Sequence, residues 1–150
     1  MLMKRRSKKR GPVQAKKITY DGINFASGLE RYTYMALKKN KLFEGYENEV
    51  FQLIEGFNFE NESYEKQANG KGDYTNRGQK KILGNKYTPD FVGKDYIIEC
   101  KGRANESFPI RWKLFKLWVT RNKIGKTLYK PQNQKEVDRT IQIIKERRRS

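Results

Sequence analysis

Histidine is absent from the 150 residues, which removes Ser-His-Asp triads, His-ligated metal nucleases and imidazole general bases from consideration. Cysteine occurs once, at Cys100, which excludes intrachain disulfides and cysteine-cluster zinc sites. Any metal this chain holds must therefore be held by oxygen, the preference of Mg²⁺ and Mn²⁺. No apolar run approaches the roughly 20 residues of a membrane-spanning helix, so no membrane partner is expected. The basic N-terminus lacks the apolar stretch of a signal peptide, and the expected compartment is the cytoplasm. Apolar residues are sparse too, at 35%, which leaves the core to lean on two Trp, nine Tyr and eight Phe.

Positive charge, by contrast, is abundant. The chain carries 34 Lys and Arg against 17 Asp and Glu, a net +17. A field of that sign gathers polyanions, and DNA is the expected partner. Charge alone leaves two classes open, an enzyme and a non-catalytic basic protein of ribosomal or chaperone type; a basic DNA-binding protein whose carboxylates are structural is a further rival. Residues 1–17 hold Lys4, Arg5, Arg6, Lys8, Lys9, Arg10, Lys16 and Lys17 and no acid. This segment is expected to be a disordered arm lying on phosphates, with Lys8, Lys9 and Arg10 among the contacts, or else a localisation signal. Residues 18–146 are expected to form one domain, and 147–150 a short basic tail.

Hydrophobic spacing predicts a helix over 27–39, with Leu29, Tyr32, Ala36 and Leu37 on one face, after a turn at Tyr20-Asp21-Gly22-Ile23. A strand is expected within 49–54. The polar stretch 56–81 is either a mobile functional loop or a β-hairpin, the latter favoured by Phe57, Phe59 and Tyr64. Two strands at 86–92 and 95–101 should be joined by a Gly93-Lys94 turn. Helices are predicted over 108–121 and 134–146, with a late strand at 127–129 stopped by Pro131. The fold class is α/β, a small mixed sheet flanked by helices.

The stretch that points to chemistry is Thr88-Pro89-Asp90, then eight residues, then Glu99-Cys100-Lys101-Gly102. In a strand, Glu99 and Lys101 point to one side while Cys100 joins Ile98 on the other. A hairpin brings Asp90 beside Glu99, and two such carboxylates repel unless a cation lies between them. Asp90 and Glu99 are therefore expected to hold Mg²⁺ or Mn²⁺, with the Cys100 backbone carbonyl as a further ligand. Lys101 is expected to orient an attacking water or neutralise phosphate charge. Glu-x-Lys alone is common on solvated strand faces. The preceding Pro-Asp and the apolar run into Glu99 favour the functional reading. Arg103, Arg111, Lys113 and Lys116 are candidate phosphate contacts.

Ser27-Gly28-Leu29-Glu30 is sufficiently explained locally as a capping box, with Glu30 reaching back to the Ser27 amide. Together with Tyr87-Thr88-Pro89-Asp90-Phe91 and Ile98-Glu99-Cys100-Lys101-Gly102, it resembles the phage endonuclease I family of Holliday junction resolvases and related small phage PD-(D/E)xK proteins. Asp21-Gly22-Ile23-Asn24-Phe25 is similar to the segment preceding the glutamate helix there, and the likeness spans about residues 20–120. The resemblance implies a restriction-endonuclease-like fold and a metal-binding catalytic cluster of Glu30, Asp90, Glu99 and Lys101. It also implies cleavage of branched DNA by a homodimer that exchanges a strand segment, whose place here is taken by 56–81. The expected function is a metal-dependent DNA endonuclease, structure-specific in the manner of a resolvase. A general phage nuclease acting on duplex or single strands is the alternative.

Overall fold

Tyr96, Ile97 and Ile98 are fully buried, and the rest of the fold closes around them. The structure is a computed structural model describing residues 18–102 and 107–150. It begins with β1 (Ile18–Tyr20), β2 (Ile23–Phe25) and α1 (Gly28–Lys39). Short strands follow: β3 (Phe51–Ile54), β4 (Phe57–Phe59), β5 (Tyr64–Glu65), β6 (Thr75–Asn76), β7 (Lys80–Ile82) and β8 (Asn85–Tyr87). The chain ends with β9 (Phe91–Val92), β10 (Tyr96–Ile98), α2 (Phe108–Arg121), β11 (Thr127–Tyr129) and α3 (Gln134–Arg149).

The central sheet has the order β11-β10-β9. Strands β9 and β10 are antiparallel, with Ile98 opposite Phe91 and Ile97 opposite Val92. Strands β10 and β11 are parallel, with α2 in the connection between them. Helices cover both faces, which explains the uninterrupted apolar run in β10. Alternation deals its side chains into two cores. Phe91, Tyr96 and Ile98 meet Tyr34 and Leu37 of α1 and Val137, Ile141 and Ile144 of α3. Val92 and Ile97 meet Phe108, Trp112 and Phe115 of α2. The fold is thus mixed α/β, as expected, and no described helix is long and apolar enough to cross a membrane.

Two helices depart from the pattern read in the sequence. The buried stripe of α1 is Glu30, Thr33, Tyr34 and Leu37. Leu29, Tyr32 and Ala36 lie at its margin, partly buried. This rotation turns an acidic side chain inward. Helix α3, capped by Asn133, runs to Arg149 instead of fraying after Glu146. Its end is tied down: the Arg148 guanidinium donates to Asp95 at 2.6 and 2.9 Å and to Glu44 at 2.9 Å. Arg147 donates to Thr127 at 2.7 Å. The turn at Asp21-Gly22 also closes a hairpin, both residues having positive φ (50° and 73°), as a two-residue loop of this kind requires.

The polar stretch is a hairpin. Strands β3, β4 and β5 run out and β6, β7 and β8 return, pairing as β3–β8, β4–β7 and β5–β6. Together they make one antiparallel ribbon over residues 51–87, with a register shift between Gln52 and Ile54. Its base is anchored by Phe51, whose ring lies 5.3 Å from Phe115 and 5.0 Å from Trp118. Farther out, Phe57, Tyr64, Tyr74 and Leu83 are exposed.

Candidate active site

Asp90 sits just before β9, behind a buried Pro89, and is only 9% exposed. Its carboxylate accepts the Cys100 backbone N–H at 2.7 Å, which fixes it against the end of β10. Burial, then the charges of Glu99 and Glu30, push its pKa well above the ordinary carboxylate range. Glu99 is partly buried and is raised too, chiefly by desolvation. Three things restrain that rise: a hydrogen bond from Tyr87 Oη at 2.8 Å, the Asp90 amide and the charge of Lys101.

Glu30 serves the helix end and the site at once. Ser27 Oγ accepts the Glu30 amide at 3.2 Å and donates to the Glu30 carboxylate at 2.9 Å. The cap therefore closes through the serine hydroxyl and not through the Ser27 amide. The other carboxylate oxygen accepts Tyr46 Oη at 2.9 Å. Glu30 is 6% exposed and faces Asp90.

A third carboxylate completes the group. Single oxygens of Glu30, Glu47 and Asp90 lie within 4.8 Å of one another. Glu47 is held there by its amide, which donates to the Asp90 carbonyl at 2.7 Å, in the left-handed region at φ 47°. Oxygens around one divalent ion at roughly 2.1–2.6 Å stand at most about 4–5 Å apart, so these three, of which Glu47 is exposed, are close enough to hold one. The trio differs from the expected set: Glu47 enters it, while Glu99 is held to one side by Tyr87. Cys100 contributes its amide to Asp90.

Strand alternation explains the remaining side chains. Cys100 packs with Ile98 in the α1/α3 core, and its Sγ lies 3.2 Å from Thr33 Oγ1. Burial and the neighbouring Asp90 raise the thiol pKa, which favours the protonated form. Lys101 extends to the α2 side, its Nζ 4.6 Å from the centre of the Phe108 ring. Lys130 approaches the same aromatic wall, 5.9 Å from both Phe108 and Trp112. Tyr46 and Tyr87 are raised by burial and by their carboxylate partners, and both remain hydrogen-bond donors.

A family model described as a protein of unknown function, DUF1064, matches residues 8–128. The chain belongs to the DUF1064 family. The match takes in the ribbon and every carboxylate of the site. No curated protein and no solved structure matches the chain.

In this DUF1064 member, Asp90 and Glu30 come together at the open end of the β9–β10 hairpin with Glu99 beside them, while Lys101 lies near Glu99 on the Phe108 side. Arg111, Lys113 and Lys116 are exposed on α2, and the charge of Arg111 reaches Tyr87. Lys8, Lys9, Arg10 and Arg103 lie outside the described residues. Sequence reasoning missed Glu47, Tyr46, Tyr87 and Lys130. For Tyr87 a signal existed, since it stands on the strand that leads into Pro89-Asp90. For Glu47, in a short irregular turn, no periodicity marks the residue.

Proposed function

We propose that the chain is a metal-dependent deoxyribonuclease built on a restriction-endonuclease-like, PD-(D/E)xK core. The observation that carries this reading is the convergence of three carboxylates, Glu30, Glu47 and Asp90, beside Glu99 and Lys101. Two of the three are buried, and buried carboxylates so close together are costly without a cation among them. The order of elements supports the same reading: a helix delivering Glu30, an antiparallel hairpin delivering Asp90 and Glu99, then α2 and a parallel β11.

Glu30, Glu47 and Asp90 would hold Mg²⁺ or Mn²⁺. When bound, the ion supplies Lewis acidity toward a phosphate oxygen and lowers the pKa of water. The chain's own groups do the rest. Tyr46 and Ser27 orient the Glu30 carboxylate, and the Cys100 amide orients Asp90. Tyr87 holds Glu99 where it can accept a proton from water. Lys101, over the Phe108 ring, has three donors suited to a scissile phosphate. Cleavage specific for branched DNA, with the homodimer that it implies, is the finer form of the proposal.

The test is cleavage of a labelled four-way DNA junction and a matched linear duplex, with Mg²⁺, Mn²⁺ or EDTA. Wild type should cut only with metal, and Lys101→Ala should lose about 10²-fold or more in rate. Cutting of the junction alone supports the resolvase form. Equal cutting of both substrates discards the specificity and keeps the nuclease. Tight binding with no cutting under any metal would leave a DNA-binding protein and overturn the proposal.

A further inference from the structure

Charge in the ribbon is sorted by strand. The outgoing strand, residues 51–65, holds Glu55, Glu60, Glu62 and Glu65 and no base. The returning strand, residues 75–87, holds Arg77, Lys80, Lys81 and Lys86 and no acid. Opposite charges on neighbouring strands ordinarily signal cross-strand ion pairs. Here the registers prevent them. Lys80 stands opposite Phe59, Lys81 opposite Asn58 and Lys86 opposite Gln52, while Glu65 stands opposite Thr75. Among the described residues, both ion pairs belong to Arg148. Arg77 donates its Nε to the Glu65 carbonyl at 3.3 Å, a backbone contact that leaves its charge uncompensated. The returning strand therefore carries three exposed lysines without an acidic partner, Lys80, Lys81 and Lys86, with Arg77 half-buried beyond them.

We propose that this returning strand is a phosphate track that seats a DNA duplex and leads it to the carboxylate cluster. The inference rests on the nuclease reading for the identity of its substrate. Track and site are one run of chain: β8 ends at Tyr87, which donates to Glu99, and Asp90 follows three residues later. At about 3.3 Å per residue, Lys80 to Lys86 spans roughly 20 Å. A duplex offers a phosphate charge every ~1.7 Å along its axis, so several lie within reach. A two-stranded ribbon also has the width that the major groove, about 12 Å across, admits. The acidic outgoing strand lies one strand spacing away, about 4.8 Å, and repels phosphates, so it dictates which edge faces DNA. Contacts of this kind position the duplex without reading its sequence.

The experiment measures binding of a labelled 30-base-pair DNA duplex and of the matching RNA duplex in EDTA, which separates binding from cleavage, over a range of salt. The ribbon variant is Lys80→Gln/Lys81→Gln/Lys86→Gln. A control with the same net charge is Lys39→Gln/Lys41→Gln/Lys135→Gln, and a third protein carries Glu55→Gln/Glu60→Gln/Glu62→Gln. The ribbon variant should bind about tenfold or more weakly near 0.1 M salt, with the slope against log salt flatter by roughly three. The control should keep the wild-type slope, and the glutamate variant should bind more tightly. Equal losses in the ribbon variant and the control would overturn the track and leave only the global charge. Loss confined to duplex RNA would overturn its assignment to DNA. Failure of wild type to bind any nucleic acid would sink the nuclease reading as well. Normal DNA binding by the ribbon variant, with its salt slope unchanged, would sink the track alone.

Discussion

Strands β10 and β7 are each three residues long, yet the first is sealed on both faces and the second is open on both. Tyr96, Ile97 and Ile98 are each 0% exposed, whereas Lys80 and Lys81 are exposed and Ile82 only half-buried. Every side chain of β10 is fixed by a core, with Ile98 in one and Ile97 in the other. In β7 the cross-strand partners Phe57, Asn58 and Phe59 supply most of the order. Such pairs contribute roughly 0.2–1 kcal/mol each, and an isolated two-stranded ribbon is marginal in water. The body is therefore built to hold carboxylates in place against their repulsion. The ribbon is built to remain accessible and to yield locally, at the low-stability end of the molecule.

The contrast is easiest to break in stability. Ile97→Ala should destabilise the protein by about 2–5 kcal/mol, because the vacated volume lies among Tyr87, Trp112 and Phe115 and cannot collapse. Ile82→Ala, the corresponding change in the ribbon, should cost under about 1 kcal/mol. Urea denaturation of both variants measures the difference. Equal losses would mean that the ribbon is as integral to the cooperative unit as the central sheet.

A second prediction exploits what rigidity costs at the site. The pKa of Asp90 is raised in the folded chain by burial and by Glu99 and Glu30, so the native state holds this proton more tightly than the unfolded chain. Its contribution to stability is full below the unfolded pKa of about 3.9, and is lost as pH rises toward the folded value. In EDTA at neutral pH, Asp90→Asn should therefore be more stable than wild type, by on the order of 1–3 kcal/mol. The gap should close toward pH 4. Adding Mn²⁺ should raise Tm for wild type and not for the variant. A less stable Asp90→Asn at pH 7 would show that the Cys100 amide requires a full negative charge.

How much of this was legible in the sequence follows the same division. The body was readable in part: the apolar run Tyr96 to Ile98 and the helical spacing of Val137, Ile141 and Ile144 mark residues that are buried. The ribbon's existence could be guessed from Phe57, Phe59 and Tyr64, but its register could not, since both faces are largely polar and a one-residue slip changes little burial. The inward turn of Glu30 was hidden for a different reason. A search for apolar residues finds Leu29, Tyr32 and Ala36, while the buried stripe at i, i+3, i+4 and i+7 begins with an acid and a threonine. Glu47 left no trace, because only the tertiary bridge between Tyr46 and Phe91 carries its turn to Asp90. The length of α3 depended likewise on Asp95 and Glu44, far away in sequence.

That last pairing gives the smallest effect and the sharpest form of the comparison, since Arg148 in the body is ion-paired and the ribbon's cations, among the described residues, are not. Hydrogen bonds from Arg148 hold the Asp95 carboxyl below the usual carboxylate range. Asp95 is 40% exposed at its side chain and Arg148 20%, so solvent screens the pair. Arg148→Ala should cost only about 0.5–1 kcal/mol at neutral pH, and less in high salt. A lowered folded pKa places that contribution above the unfolded value of about 3.9, and it is lost as pH falls through the folded one. Arg148 also lies 5.8 Å from the Tyr96 ring centre, a packing contact with no titration in that range. Thermal melts from pH 2.5 to 7 separate the two contributions. A difference between wild type and variant that disappears in acid assigns the cost to charge. A difference that persists unchanged would assign it to the arginine stem on Tyr96, and the pairing of charges would no longer distinguish body from ribbon.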